Sequence, residues 1–296
     1  MEILPQLLVN ALIAGSIYAL ASSGLSLAYG LLRVLNFAHG HLMMVGAYFF
    51  YFLSAMLGLA VWQAGIATLI FSILFGALVL RIFILPFSKF SFLLTFVTSL
   101  ALANMLEAAV SMIFGVNVKS LVAGSSAASY EIGSVYITPI QVMIIVSALV
   151  ILGLLGAVVH WFPLGRRIRA LAQNTHAAQS IGISRMRVSY LVFAAATVLA
   201  AFSGILVGYE TNMQPTMGNA YTVKAFAAMV LGGLGNLWGT VAASYILGLI
   251  ENLSIGLDFG RYSIPAGYKD AFAFAIILLT LLVKPEGIFA KRRRRD

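Results

Sequence analysis

Few side chains in this sequence are equipped for chemistry, and they are scattered. Cysteine is absent, which removes thiolate nucleophiles, thiolate metal ligands and disulfides. The histidines are His39, His41, His160 and His176. Only His39 and His41 are close, and an i, i+2 spacing does not put two side chains on one helical face. No carboxylate stands near them in sequence to complete a metal site. The string Gly232-Gly233-Leu234-Gly235-Asn236 lacks the lysine and the spacing of a phosphate-binding loop. Neither a catalytic residue nor a metal site is expected in this chain.

The other polar positions are candidates for a path or a hinge. The link Asn36-Phe37-Ala38-His39-Gly40-His41 joins two apolar segments. It reads either as an unwound, solute-facing break or as a short loop in which Asn36 caps the next helix. Glu107 lies inside an apolar run, where a carboxylate is costly and faces a partner or a wet path. Asn104 precedes it by three residues and Ser111 follows by four, so the three share a helical face. That face reads as a path or subunit-contact stripe, or equally as a helix-to-helix hydrogen bond. Glu210, Asn212 and Gln214, with Pro215, form either a polar vestibule or an ordinary solvated loop. Gly232, Gly233 and Gly235 allow a hinge or a close helix approach. Glu251 and Asn252 read as ordinary polar groups of a helix interface.

The elements that hold these residues are apolar helices. The chain has 296 residues, 61% hydrophobic and only 9% charged, against about 25% charged for a soluble domain. Its mean hydropathy is +1.01. Several runs approach or exceed the roughly 20 residues that cross a bilayer as a helix, and their continuity argues against a β-barrel. The reading is an all-α polytopic transmembrane bundle forming one domain over 1–296. Spans are expected at 6–32, 42–57, 61–80, 92–114, 139–160 and 187–208. The run 222–253 is too long for one untilted span, and its glycine cluster divides it in two. A last span is expected at 265–283, followed by the basic tail 291–295.

Between the fifth and sixth spans lies a polar island, residues 161–190, with Arg166, Arg167, Arg169, Arg185 and Arg187. Asn174 can cap a short helix that Gly182 ends, and Ser184 can cap the next. Island and tail are both strongly basic, so both belong on the cytoplasmic face. An even number of crossings must then separate them, which favours the division at Gly232 and puts the N-terminus outside. The result is about eight or nine crossings, with Arg33, Arg81, Lys89, Lys284, the island and the tail inside. The net charge of +9 therefore marks orientation in a lipid bilayer, and no nucleic acid is expected.

The residues now in view resemble a known family. Gly24-Leu25-Ser26-Leu27-Ala28-Tyr29-Gly30 and Asn36-Phe37-Ala38-His39-Gly40-His41 are similar to the first part of branched-chain amino acid permeases of ATP-binding-cassette importers, H-type subunit. The similarity continues through Gly165-Arg166-Arg167-Ile168-Arg169-Ala170, Ile181-Gly182-Ile183, Lys224-Ala225-Phe226, Val230 to Asn236, Gly239 and Lys284-Pro285-Glu286-Gly287-Ile288-Phe289. It implies an inner-membrane subunit paired with a second homologous permease, two cytoplasmic ATPase subunits and a periplasmic solute-binding protein. ATP and Mg would be bound by the ATPase partners, with no cofactor in this chain. The ATPase-coupling segment of the family falls on Gly165, Arg166, Arg167, Arg169, Asn174 and Gly182. Branched-chain or other hydrophobic amino acids are the implied solutes, with urea, short amides or other amino acids as alternatives. Outside the family, a secondary carrier or channel using Glu107 and a non-transport membrane scaffold or enzyme subunit are the rival readings. Glu107 stands nearly alone as an intramembrane acid, which weakens proton coupling.

Overall fold

A computed structural model describes residues 3–121, 129–133, 135–256 and 269–289. The chain order is α1 (Leu4–Leu32), α2 (His39–Tyr51), α3 (Val61–Val79), α4 (Leu85–Ser88), α5 (Phe92–Phe114), β1 (Tyr130–Ile132), β2 (Val135–Ile137), α6 (Pro139–Trp161), α7 (Pro163–Gln173), α8 (Thr175–Ser180), α9 (Arg185–Glu210), α10 (Met217–Gly232), α11 (Leu237–Gly256) and α12 (Lys269–Val283). Single π-helical turns, Phe52–Met56 and Leu80–Ile84, extend α2 and α3. The fold is all-α and polytopic, with one small hairpin. Among the described residues, five helices are long and apolar enough to cross a membrane: Leu4–Leu32, Val61–Ser88, Phe92–Phe114, Pro139–Trp161 and Arg185–Glu210. The pair α10 and α11 would make a sixth span, but it is bent by 119° at the break between Gly232 and Leu237. The expectation of eight or nine segments exceeds this number because α2, α10 and α12 are short. The tail 291–295 lies outside the described residues.

Helix α1 is the hub. Side chains all round it are buried from Gly15 to Ala28, as expected for a helix enclosed by others. Small and hydroxylated residues let α11 approach closely. Ser22 Oγ lies 2.6 Å from Ser244 Oγ, Thr240 Oγ1 donates to Ser26 Oγ at 3.0 Å, and Ser16 Oγ lies 3.2 Å from Tyr245 Oη. Helix α9 is the second buried element. Gly46 of α2 packs on Ala201, Gly204 on the Met43 carbonyl, and Gly76 of α3 on Thr197.

At one end of the bundle, Gln6 bonds both backbone groups of Tyr136 in the hairpin, and Gln141 donates to Glu210 at 3.1 Å. Lys119 and Met213 form an isolated antiparallel bridge there. The Tyr136 hydroxyl donates to Glu131 at 3.0 Å; that bond, with the carboxylate's charge, pushes the phenol above its usual range. The polar island sits at the opposite end.

Two helices do not begin at either end. After Leu32 the chain turns through Arg33, at φ 57°, and runs back along α1. His39, the first residue of α2, donates from Nε2 to the Ala21 carbonyl at 2.8 Å. With 1.5 Å of rise per residue, α2 therefore starts roughly 16 Å inside the end of α1. Helix α10 starts beside it, Gly218 packing on His41. From there α2 runs toward the hairpin end, where Tyr48 meets Phe114 at 5.1 Å. Helix α10 runs toward the island end, where Gly235 lies against Gly30.

Candidate functional site

The link between α1 and α2 is folded rather than loose. Asn36 is buried, and its Oδ1 accepts from the Ala38 amide at 3.1 Å. It closes an Asx turn instead of capping α2, whose N-cap is Ala38 without a side-chain bond. Phe37 stacks edge-on against Phe96 at 4.8 Å and meets Phe226 at 5.4 Å. Its amide donates to Ser99 Oγ at 3.1 Å. Gly40 brings the first turn of α2 onto α10: its amide donates to Thr222 Oγ1 at 3.0 Å, and a Cβ there would meet the Gly218 carbonyl. Thr222 Oγ1 in turn lies 2.7 Å from the Gly218 carbonyl and 3.2 Å from that of Phe37. This supplies polar partners to backbone groups that an isolated break in an apolar bundle would leave exposed.

His39 and His41 point apart. His39 is buried on Ala21, whereas His41 turns its Nε2 toward Glu107 Oε2 at 3.4 Å. Asn219 Nδ2 donates to the same oxygen at 2.8 Å. His41 and Asn219 are each the third residue of their helix. The carboxylate thus faces the partial positive charge of two helix starts. Glu107 is 25% exposed, so it remains reachable from outside the protomer. Asn104 and Asn219 beside it are exposed, and Ser111 is half-buried one turn along α5. The three α5 residues do share a face, and that face carries the mouth of this polar notch. Among the described residues no three His, Asp or Glu gather as metal ligands.

A second charged cluster was not anticipated. Lys224 Nζ lies 3.2 Å from each carboxylate oxygen of Glu251 and donates to Tyr18 Oη at 3.0 Å. Tyr18 Oη donates to Glu251 Oε2 at 2.7 Å. Glu251 is fully buried, so these bonds compensate the loss of water. They tie α1, α10 and α11 together. The only signal in the sequence was one acid and one base in adjoining apolar runs.

Glycines shape the break between α10 and α11. Gly233 and Gly235 adopt positive φ, 97° and 79°, which L side chains resist. Gly232 packs on the backbone of Gly239, and Asn236 Oδ1 accepts from the Gly239 amide at 3.2 Å. The segment after α12 closes over the break. Ile288 donates its amide to the Leu231 carbonyl at 2.8 Å, and Asn236 Nδ2 donates to the Phe289 carbonyl at 2.8 Å. Gly232, Gly233 and Gly235 therefore form a braced turn, remote from Glu107.

The island is a compact surface element. Pro163 stands at the start of α7, Asn174 Oδ1 accepts from the Ala177 amide at 3.0 Å, and Gly182 ends α8 with φ 86°. Ser184 Oγ accepts from the Arg187 amide at 3.4 Å. Ile168, Leu171 and Ala178 pack on Leu27 and Leu31 of α1 and on Val188 and Val192 of α9. Gly165 lies against the Val159 carbonyl, and Arg169 Nη1 donates to that same carbonyl at the end of α6. The element is thus fastened to three long helices at once. Arg166 and Arg167 remain exposed on its outer side. Trp161 and Phe162, also exposed, mark the end of α6, as aromatic residues do at a membrane interface.

These features coincide with a known family. A family model described as branched-chain amino acid transport system / permease component matches residues 7–281. The high-affinity branched-chain amino acid transport system permease protein LivH of Salmonella typhimurium is 31% identical, over 97% of this chain and 95% of its own length. LivH of Escherichia coli is 30% identical with the same coverage. The corresponding permease BraD of Pseudomonas aeruginosa is 30% identical over 97% of this chain and 95% of its own. With the match running through the α1–α2 link, the island and the braced turn, the chain belongs to the family of permease components of branched-chain amino acid transport systems.

Proposed function

We propose that the chain is one of two permease subunits of an ATP-driven importer, moving branched-chain or other hydrophobic amino acids by alternating access. Its partners are a second, different permease, two cytoplasmic ATPase subunits that bind ATP and Mg, and a periplasmic solute-binding protein. It sits in the inner membrane with its N-terminus periplasmic and its C-terminus cytoplasmic. The shorter helices bring the crossings to eight or nine. Family membership supports the transport role.

The single observation that carries the coupling mechanism is the island's attachment. A capped, basic element packed on α1 and α9 and hydrogen-bonded to the end of α6 receives force without absorbing it. Arg166 and Arg167 offer the docking charge, whereas Arg169, also exposed, is tied to the Val159 carbonyl as a strut. Closure of the ATPase pair would move α1, α6 and α9 together. The braced turn at Gly232, Gly233 and Gly235 and the link Asn36, Phe37, His39 and Gly40 are where the flanking helices would re-angle.

The test is reconstitution with the three partner subunits and the binding protein, measuring leucine uptake. ATP-dependent uptake is expected. Uptake that ignores ATP and follows a proton gradient would overturn the proposal in favour of a carrier using Glu107. Within a working complex, Arg166→Glu with Arg167→Glu should lower uptake about tenfold or more, since such paired charges at an interface are each worth 1 kcal/mol or more, without preventing membrane insertion.

A further inference from the structure

We propose that the notch at Glu107 is a transit site for the ammonium group of the passing solute, a primary ammonium carried on an apolar body. The inference rests on the importer reading above and names what the path would hold at this depth. Glu107 lies seven residues before Phe114, the last residue of α5, which sets it about 10 Å in from that helix end.

Glu251 and Glu107 are treated in opposite ways. Glu251 is fully enclosed, with Lys224 at both oxygens and Tyr18 at one. That is how this fold satisfies a carboxylate whose work is structural. Glu107 has both of its partners, Asn219 and His41, on Oε2. Among the described residues none donates to Oε1, although a carboxylate can accept about four hydrogen bonds. No lysine or arginine of the described residues pairs with it, and it keeps a quarter of its surface open. His41 behind it is 1% exposed, and its Nδ1 has no partner among the described residues. The hydrogen-bonding capacity of the notch is incompletely used on both sides.

The geometry fits a cation arriving from the open face. The helix starts of α2 and α10 hold Oε2 from behind through His41 and Asn219. Asn104 and Asn219 are exposed beside the carboxylate, and their side-chain oxygens, like Oε1, can accept. An ammonium offers three donors, enough to engage Oε1 and both amide oxygens. The apolar body would lie along Leu100 and Val223, which are exposed on the same two helices.

The chain has no cysteine, so Asn104→Cys places a single thiol beside Glu107. The complete complex, with cysteine-free partners, is treated with a trimethylammonium-ethyl or a sulfonatoethyl methanethiosulfonate. The cationic reagent should react faster, and Glu107→Gln should reduce that cation-to-anion ratio about tenfold or more, the scale on which a local charge concentrates counter-ions. Glu107→Asp, which keeps the charge, should retain the preference. Equal ratios in the Glu and Gln backgrounds would overturn the site. Absence of labelling by either reagent would also overturn it, placing the face against the second permease or lipid. ATP-driven leucine uptake by the unsubstituted complex is measured in parallel. Its absence overturns the importer reading, whereas normal uptake with charge-blind labelling overturns the transit site alone.

Discussion

Lys224, Glu251 and Tyr18 show what a charge inside this bundle requires. Glu251 has no exposed surface, so removing its cation leaves a buried charge without compensation. Breaking such a pair by taking away one partner costs about 3–5 kcal/mol, whereas replacing both with apolar groups of similar size is often close to neutral. Lys224→Met alone should therefore lower the midpoint of thermal unfolding in detergent strongly. Lys224→Met with Glu251→Leu should recover most of the loss, and additive losses in the double variant would count against a coupled pair. The sequence could not show this pairing. Lys224 and Glu251 are 27 residues apart, and only the 119° bend after Gly232 lays α11 back beside α10. Glu107 was legible as an anomaly because an acid in an apolar run stands out. Its partners were not, since His41 is 66 and Asn219 is 112 residues away. Spacing arguments reach one helix turn, and these contacts depend on which helices become neighbours.

Local chemistry made the ends of elements easier to read than their number. Asn174, Gly182 and Ser184 end or begin helices as expected, because a cap is decided within three residues of itself. Asn36 differs: the chain must turn back along α1 at once, and the Asx turn onto Ala38 achieves that where a cap would not. The half-length elements were the hardest to foresee. α2 and α10 have 13 and 16 residues, too few to read as untilted spans, yet each is held by a neighbour that sequence alone does not identify. Their contact gives a prediction at this scale. A Cβ at Gly40 would strike the Gly218 carbonyl and crowd Thr222, and both are backbone or hydrogen-bonded groups with little room to yield. Gly40→Val should cost about 1–3 kcal/mol by overpacking and reduce ATP-driven uptake by separating the two helix starts. Gly58→Ala supplies the contrast for space, since nothing lies within 4 Å of a Cβ there, although its φ of 68° carries a cost of about 1 kcal/mol for any L residue. Comparing unfolding midpoints with uptake for the two variants separates steric interference at the α2–α10 contact from a general glycine effect.

At the scale of the whole molecule, the bundle has two unlike ends, and orientation follows from their charge. The island end gathers Arg166, Arg167, Arg169, Arg185 and Arg187 with Arg33 at the close of α1. The opposite end carries the hairpin with Glu131, the Gln141–Glu210 bond and the Lys119–Met213 bridge. Lysine and arginine near span ends stay on the cytoplasmic side during insertion, so the proposed orientation sets the island end toward the cytoplasm and the hairpin end toward the periplasm. In that orientation the element proposed to meet the ATPases and the end proposed to meet the binding protein would lie at opposite ends of α1 and α9, which both run between them. Single thiols in this cysteine-free chain test it directly. Gln179→Cys, exposed on α8, should react with an impermeant maleimide only after the cytoplasmic face is opened. Asn212→Cys, exposed beyond α9, should react in intact spheroplasts. Both positions reacting from one side would require an odd crossing to be lost between them. That result would remove the single traverse of α9 on which the proposed transmission of force from island to hairpin end depends.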